Sequence, residues 1–212
     1  MTVIAGPCER AAAPFVAALP HCLDGLTTDE VYETCRTSAE PELNDRLRHA
    51  VNRLVRPQGW LCEREATRGQ LRRVDLHLVE MGSGMTFAAV EAKMRYATDL
   101  ARATDWVVNG RNGLAADVAK LAKAGPNVPT LILLWTPYIA LARWGLRYKR
   151  WTTATEEGLV PLDSLEQCRE ATAGALHALS DGPRWHVEVH RGEGKDAELT
   201  LDAWLLAVPS TT

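Results

Sequence analysis

Residues 72–94, RRVDLHLVEMGSGMTFAAVEAKM, alternate apolar and polar side chains around a Gly-Ser-Gly turn, the signature of a β-hairpin. Val74, Leu76 and Leu78 interleave with Asp75, His77 and Val79, and the chain climbs again through Phe87, Ala88, Ala89 and Val90. Glu91 and Lys93 are two apart, so on a strand they share a face while Ala92 takes the other. Asp75 joins that face if 75 pairs with 91, a register that needs an odd loop or a glycine bulge, which Gly82 and Gly84 permit. Two carboxylates and an amine then meet, a set suited to phosphodiester hydrolysis. Asp75 and Glu91 offer hard oxygen ligands to Mg2+ or Mn2+, and the Ala92 carbonyl can add another. Lys93 either has its pKa pulled down to assist an attacking water or stays charged against the phosphorane.

Around the hairpin the coarse pattern is that of one α/β domain. Residues 1–25, rich in Ala and Pro, read as an irregular segment or a short helix. Thr27 with Glu30 forms a capping box that opens a helix through Cys35. Pro41 sits at a first helical position, and Leu43, Leu47, Ala50, Val51 and Leu54 make one apolar face of a helix ending before Pro57 and Gly59. Trp60 to Glu65 reads as a strand. Arg68, Arg72 and Arg73, between that strand and the hairpin, either grip phosphates or protect an exposed strand edge. His77 shares the parity of Asp75 and reads as facing the other elements of the fold.

Arg95 to Arg111 reads as a partly helical connector, and Leu114, Val118, Leu121 and Ala122 as a helix. Thr130 to Trp135 is apolar throughout, as a strand covered on both faces should be. In residues 139–151, read as a helix, Arg143, Arg147, Lys149 and Arg150 interleave with Trp144, Tyr148 and Trp151. This mixture suits either a nucleic-acid surface or tryptophans facing the core beneath snorkelling arginines. Pro161 to Leu179 is a further helix begun by Asp163 or Ser164. Arg184 to Val208 is a terminal β-hairpin with His186, Glu188 and His190 on one strand face.

Composition narrows the class. With 212 residues, 46% of them hydrophobic, the chain can bury the core of one domain. Its five cysteines (Cys8, Cys22, Cys35, Cys62 and Cys168) form no CxxC and cannot all pair, which argues against a zinc ribbon or a disulfide framework and fits a reducing cytoplasm. No apolar run approaches the roughly 18 residues of a membrane span. Glu9-Arg10 before the apolar stretch 11–19 argues against a secretion leader. A net charge of −3 by itself argues against a generally basic nucleic-acid binder, yet residues 42–151 hold 18 of the 24 Lys and Arg against 10 of the 27 Asp and Glu. Positive charge therefore gathers around the hairpin. There is no P-loop, Rossmann glycine fingerprint or internal repeat.

Asp75 followed by Glu91-Ala92-Lys93 at a strand end resembles the PD-(D/E)xK nuclease superfamily, with Val74 where the motif has proline. The family order is a helix bearing a glutamate, a β-meander bearing the motif, a helix and a further strand, and the resemblance spans residues 42–138. It implies an α/β restriction-endonuclease-like core, a mixed central sheet flanked by helices, with residues 1–40 as an N-terminal extension, 41–138 as the nuclease core and 139–212 as C-terminal helices and hairpin on the same domain. It also implies that Glu42 is the helix glutamate facing the metal, the alternative being a solvated pair with Arg46. Lys120 matches a helper polar residue on the helix after the motif, the alternative being a solvated pair with Asp117. The implied activity is a Mg2+- or Mn2+-dependent (endo)nuclease acting on DNA rather than RNA, in restriction, phage defence or repair. Arg72, Arg73, Lys120, Arg143, Arg147, Lys149 and Arg150 would bind nucleic acid, and a homodimer or partner protein could supply specificity. The alternative is a non-catalytic nucleic-acid-binding or assembly subunit that keeps the fold.

Overall fold

The computed structural model describes residues 6–37, 40–65, 74–101, 113–124, 127–141, 164–195 and 197–209. They form a mixed α/β structure of one six-stranded sheet with helices on both faces. Helices α1 (Pro7–Ala18), α2 (Thr28–Arg36) and α3 (Glu40–Val55) come first, then strands β1 (Trp60–Arg64), β2 (Leu76–Glu80) and β3 (Thr86–Met94). Helices α4 (Ala97–Ala101) and α5 (Leu114–Leu121) lead to β4 (Thr130–Leu141); α6 (Leu165–Leu179) precedes β5 (Arg184–Glu193) and β6 (Ala197–Val208). The strand order is β1-β2-β3-β4-β6-β5. All neighbours are antiparallel except β3 and β4, which run parallel and are joined by the segment carrying α4 and α5. Among the described residues no helix is long and apolar enough to cross a membrane.

Strand alternation sorts the core into two layers. Ala88, Val90 and Ala92 of β3, with Leu131, Leu133 and Trp135 of β4, pack against Phe15, Leu19, Val31, Leu43, Leu47 and Val51 of the N-terminal helical layer. Ala89, Ile132 and Leu134 face the other way, onto Leu100, Leu114, Leu121 and Leu176 of α4, α5 and α6. The apolar run in β4 reflects this double cover. The first 25 residues are more regular than their composition suggests: Pro7 sits where a helix tolerates proline, and Ala11, Ala12, Phe15 and Ala18 are buried. The Thr27–Glu30 capping box forms in full, and Ser164 rather than Asp163 caps α6, accepting from the Gln167 N–H.

Two asparagines fix how α3 lies on the sheet. Asn44 Oδ1 accepts from Trp135 Nε1 at 2.9 Å. Asn52 bridges both backbone groups of Cys62, accepting from its N–H at 2.8 Å and donating to its carbonyl at 3.0 Å. Because β1 is an edge strand, these peptide groups have no neighbouring strand to pair with, and a buried asparagine takes that place.

Three expectations change. Residues 139–141 continue β4 rather than open a helix; the strand passes through Pro137, which pairs with Leu201. Pairing with β3 ends at Trp135, so the missing N–H at Pro137 falls where β3 has already stopped. In the motif hairpin the register slips between Leu78 and Val79, where Leu78 faces Ala88 and Val79 faces Thr86; the extra residue is Phe87 on the strand, not a glycine of the turn. In the terminal hairpin a slip between Glu188 and His190 separates side chains expected on one face. His186 and Glu188 engage the fully buried Asp202 and its partner Arg169, whereas His190 Nε2 lies 3.1 Å from Thr28 Oγ1 on α2.

Replacing Asn52 by leucine is expected to cost about 2 to 3 kcal/mol, because it strands a buried N–H and carbonyl at Cys62. Urea unfolding measures this, and a loss below about 0.5 kcal/mol would show that water satisfies both groups.

Candidate active site

The register Leu76 to Val90, His77 to Ala89 and Leu78 to Ala88, continued by one residue, sets Asp75 across from Glu91. Facing residues in a sheet point to the same side, and Glu91 and Lys93 lie beside Ile132 and Leu134, which belong to the layer under α4, α5 and α6. Asp75, Glu91 and Lys93 therefore share one face. Asp75 Oδ2 accepts from the Ala92 N–H at 2.7 Å. Lys93 Nζ donates to Glu91 Oε1 at 3.1 Å and to the Ala92 carbonyl at 2.9 Å.

Two more elements close on the same point. From α5, Lys120 Nζ reaches Glu91 Oε2 at 2.6 Å, and Asp117 Oδ2 lies 3.7 Å from Lys93 Nζ. Asp117 and Lys120 are one helical turn apart and so present a common face. From the start of α3, Glu40 Oε2 accepts from the Met94 N–H at 2.7 Å. Four carboxylates thus surround the Lys93 ammonium. Among the described residues no three carboxylate, histidine or cysteine side chains converge as a ready-made metal cage. The lysines lie among the acids instead.

Burial and charge compete here. Burial raises the pKa of Glu40 and of Asp75 above their ordinary values, although the Lys93 charge and a backbone N–H pull each back. Asp117 is pushed up to about 6, chiefly by burial, with nearby Glu91 adding to it and Lys93 opposing. Its Oδ2 is buried and makes no hydrogen bond. For Lys93 burial works against the charge, but Glu91, Asp117, Glu40 and Asp75 together outweigh it and raise the pKa. Lys93 is held as an ammonium, and the lowered pKa that would make it a base is not found.

Several expected residues fall elsewhere. Glu42 pairs with Arg46 at 2.9 Å on the exposed side of α3, and Glu40 takes the inward position. Glu40 was legible in the spacing: it lies three, four and seven residues before Leu43, Asn44 and Leu47, which are buried, whereas Glu42 lies one turn before Arg46 on the polar stripe. Asp117 was read only as a surface partner for Lys120, yet Lys120 reaches Glu91 and Asp117 faces Lys93. Its signal was its place one turn from Leu114 and Leu121, the buried positions of α5. Ala92 has its carbonyl turned to Lys93 and its N–H to Asp75. His77 is fully buried against its neighbours in the sheet. Arg68, Arg72, Arg73, Arg143, Arg147, Lys149 and Arg150 lie outside the described residues.

Compared with known protein families, with curated proteins and with solved structures, the chain matches none.

The raised Asp117 pKa has a sign that can be measured. An aspartate at about 6 in the folded protein and about 3.9 in the unfolded chain binds its proton more tightly when folded, so stability falls as pH rises between the two values. In EDTA, Asp117→Asn should gain on the wild type progressively from about pH 4 to 6 and hold a constant advantage of up to about 3 kcal/mol above that. Thermal melts across this range are the check, and a flat difference would place Asp117 in solvent.

Proposed function

We propose that this chain is a divalent-metal-dependent nuclease that hydrolyses phosphodiester bonds in DNA, built on a restriction-endonuclease-like core. The observation that carries the reading is the convergence of Asp75, Glu91 and Lys93 with Glu40, Asp117 and Lys120 at one strand end. The succession of α3, the meander β1-β2-β3, α4 and α5, and a parallel β4 supports the same core. Gathering of Lys and Arg in residues 42–151 supports an anionic polymer as substrate.

The donor set fits Mg2+ or Mn2+. All the acids offer hard oxygens, three of them have raised pKa values, and one buried oxygen of Asp117 has no hydrogen bond, so negative charge is incompletely balanced. Asp75 and Glu91 would hold the ion, with the Ala92 carbonyl beside them. When bound, the ion supplies Lewis-acid polarisation of the scissile phosphate and acidifies a coordinated water. Lys93, kept charged by its four acidic neighbours, offsets the charge that develops on the phosphorane oxygens. Asp117 Oδ2, with a pKa near 6, can accept the proton released by the attacking water. Glu40 holds the Met94 end of β3 and, through it, the line of Glu91 and Lys93.

A second reading, a non-catalytic nucleic-acid-binding or assembly subunit, is favoured by one feature. Asp75, Glu40 and Glu91 each already have a hydrogen-bond partner inside the fold, as members of a purely structural ion cluster would.

The two readings separate in a cleavage assay on supercoiled, linear and single-stranded DNA and on RNA, with Mg2+, Mn2+ or EDTA. Metal-dependent cutting of DNA is expected, reduced about 100-fold or more by Asp75→Asn or Lys93→Met. Glu40→Gln should cost about 10- to 100-fold and Glu42→Gln no more than about threefold. Folded protein that binds DNA with a salt-dependent affinity yet cuts nothing under any condition selects the second reading.

A further inference from the structure

We infer that Arg95 grips a backbone phosphate of the nucleic acid beside the reacting one, with the Nε–Nη2 edge of its guanidinium on two phosphate oxygens. This deepens the nuclease reading of the same site and rests on it. By the alternation that aligns Glu91 with Lys93, Arg95 is the next side chain on their face. Its N–H still joins the sheet, donating to the Trp135 carbonyl at 3.0 Å. Lys93 and Arg95 lie roughly 6.5 Å apart along the chain, so Arg95 meets a bound strand beyond the group that Lys93 faces. Burial raises the Glu40 pKa and the Arg95 charge is among those that draw it back, so the guanidinium stands within electrostatic reach of the cluster.

What sets Arg95 apart is how little holds its charge. Nη1 donates to the Met94 carbonyl at 2.7 Å, whereas Nε is buried and has no acceptor, and no carboxylate among the described residues pairs with the guanidinium. Arg169 shows the same edge fully engaged inside this fold: its Nε donates to Asp202 Oδ2 at 2.7 Å and its Nη2 to Oδ1 at 2.9 Å, a two-point grip on a fully buried acid. Arg95 keeps that edge without an acid, at the end of the strand that carries Glu91 and Lys93. A buried donor without an acceptor is costly, and two phosphate oxygens match the fork as a carboxylate does. Turning the edge to an incoming oxyanion gives up one hydrogen bond to a neighbouring carbonyl and satisfies the orphaned donor. With 18 of the 24 Lys and Arg in residues 42–151, the anion that gains most is a polymer bearing further phosphates rather than a lone phosphate ion.

Fluorescence anisotropy of a labelled DNA duplex with the full chain, in EDTA and over a range of salt, reads binding apart from cutting. Arg95→Gln should bind about tenfold more weakly and lower the slope of log K against log salt by about one, while melting at the wild-type temperature because it breaks no ion pair. Arg95→Lys should keep the slope and bind about threefold more weakly, since an ammonium cannot fork, and it decides the matter should Arg95→Gln fail to fold. Arg53→Gln, the same charge change at the far end of α3, should stay within about twofold of wild type. Millimolar inorganic phosphate, at constant ionic strength, should leave duplex binding unchanged; displacement that depends on Arg95 makes a lone phosphate the ligand and overturns the polymer assignment. Arg95→Gln losing no more affinity than Arg53→Gln, or Arg95→Lys binding as wild type, overturns the inference and leaves the nuclease reading to the cleavage assay. Wild type that neither binds nor cuts DNA ends both.

Discussion

Strand β3 outlasts the strand beside it. β2 begins at Leu76, whose partner is Val90, while β3 continues to Met94, so the peptide groups beyond Val90 on that side have no ladder to join. A buried N–H without an acceptor costs roughly 1 to 3 kcal/mol, and two of them, at Ala92 and Met94, face this gap. Asp75 and Glu40 supply the acceptors. The ladder defect therefore sets where both acids must sit, one from the approach to β2 and one from the first turn of α3. Asn44 and Asn52, which lock α3 to Trp135 and Cys62, hold Glu40 at the required rotation.

Once these acids are in place, electrostatics governs the rest. Four carboxylates close together in a poorly solvated site would take up protons unless cations joined them, since burying an unpaired charge is far more costly than burying a paired one. Lys93 arrives by strand alternation and Lys120 by helix phase. Compensation is incomplete, and the shortfall collects on Asp117, whose carboxyl titrates near 6. Charge is thus unevenly compensated across the cluster, with Asp117 the least balanced of its acids.

Much of this was legible in residue order. Alternation in the motif hairpin located Glu91 and Lys93 on one face, and the pairing of Asp75 with Glu91 followed once an odd register was allowed; the structure has that register, although the irregularity lies at Phe87. The capping box at Thr27 and the doubly covered β4 were equally visible. Identity of the helix glutamate was legible only in finer detail, because Glu40 and Glu42 flank Pro41 and the phase of the buried stripe alone tells them apart. Asp117 was misread as a surface partner of Lys120 for a related reason: a helix records which of its residues share a face, but not which strand that face meets. Extension of β4 through Pro137 was hidden because local rules stop a strand at proline, and only the early end of β3 makes that proline harmless.

The bulge at Phe87 has an evolutionary corollary. By absorbing one residue between the tip of the hairpin and Ala88, it uncouples the phase of the turn from the phase of Glu91 and Lys93. Residues 81–84, the loop closed by the Glu80 N–H on the Met85 carbonyl, can therefore lengthen or shorten by odd or even steps without turning the two side chains over. A single insertion between Ala88 and Glu91 has no such buffer and would invert the face on which the acid and the amine emerge.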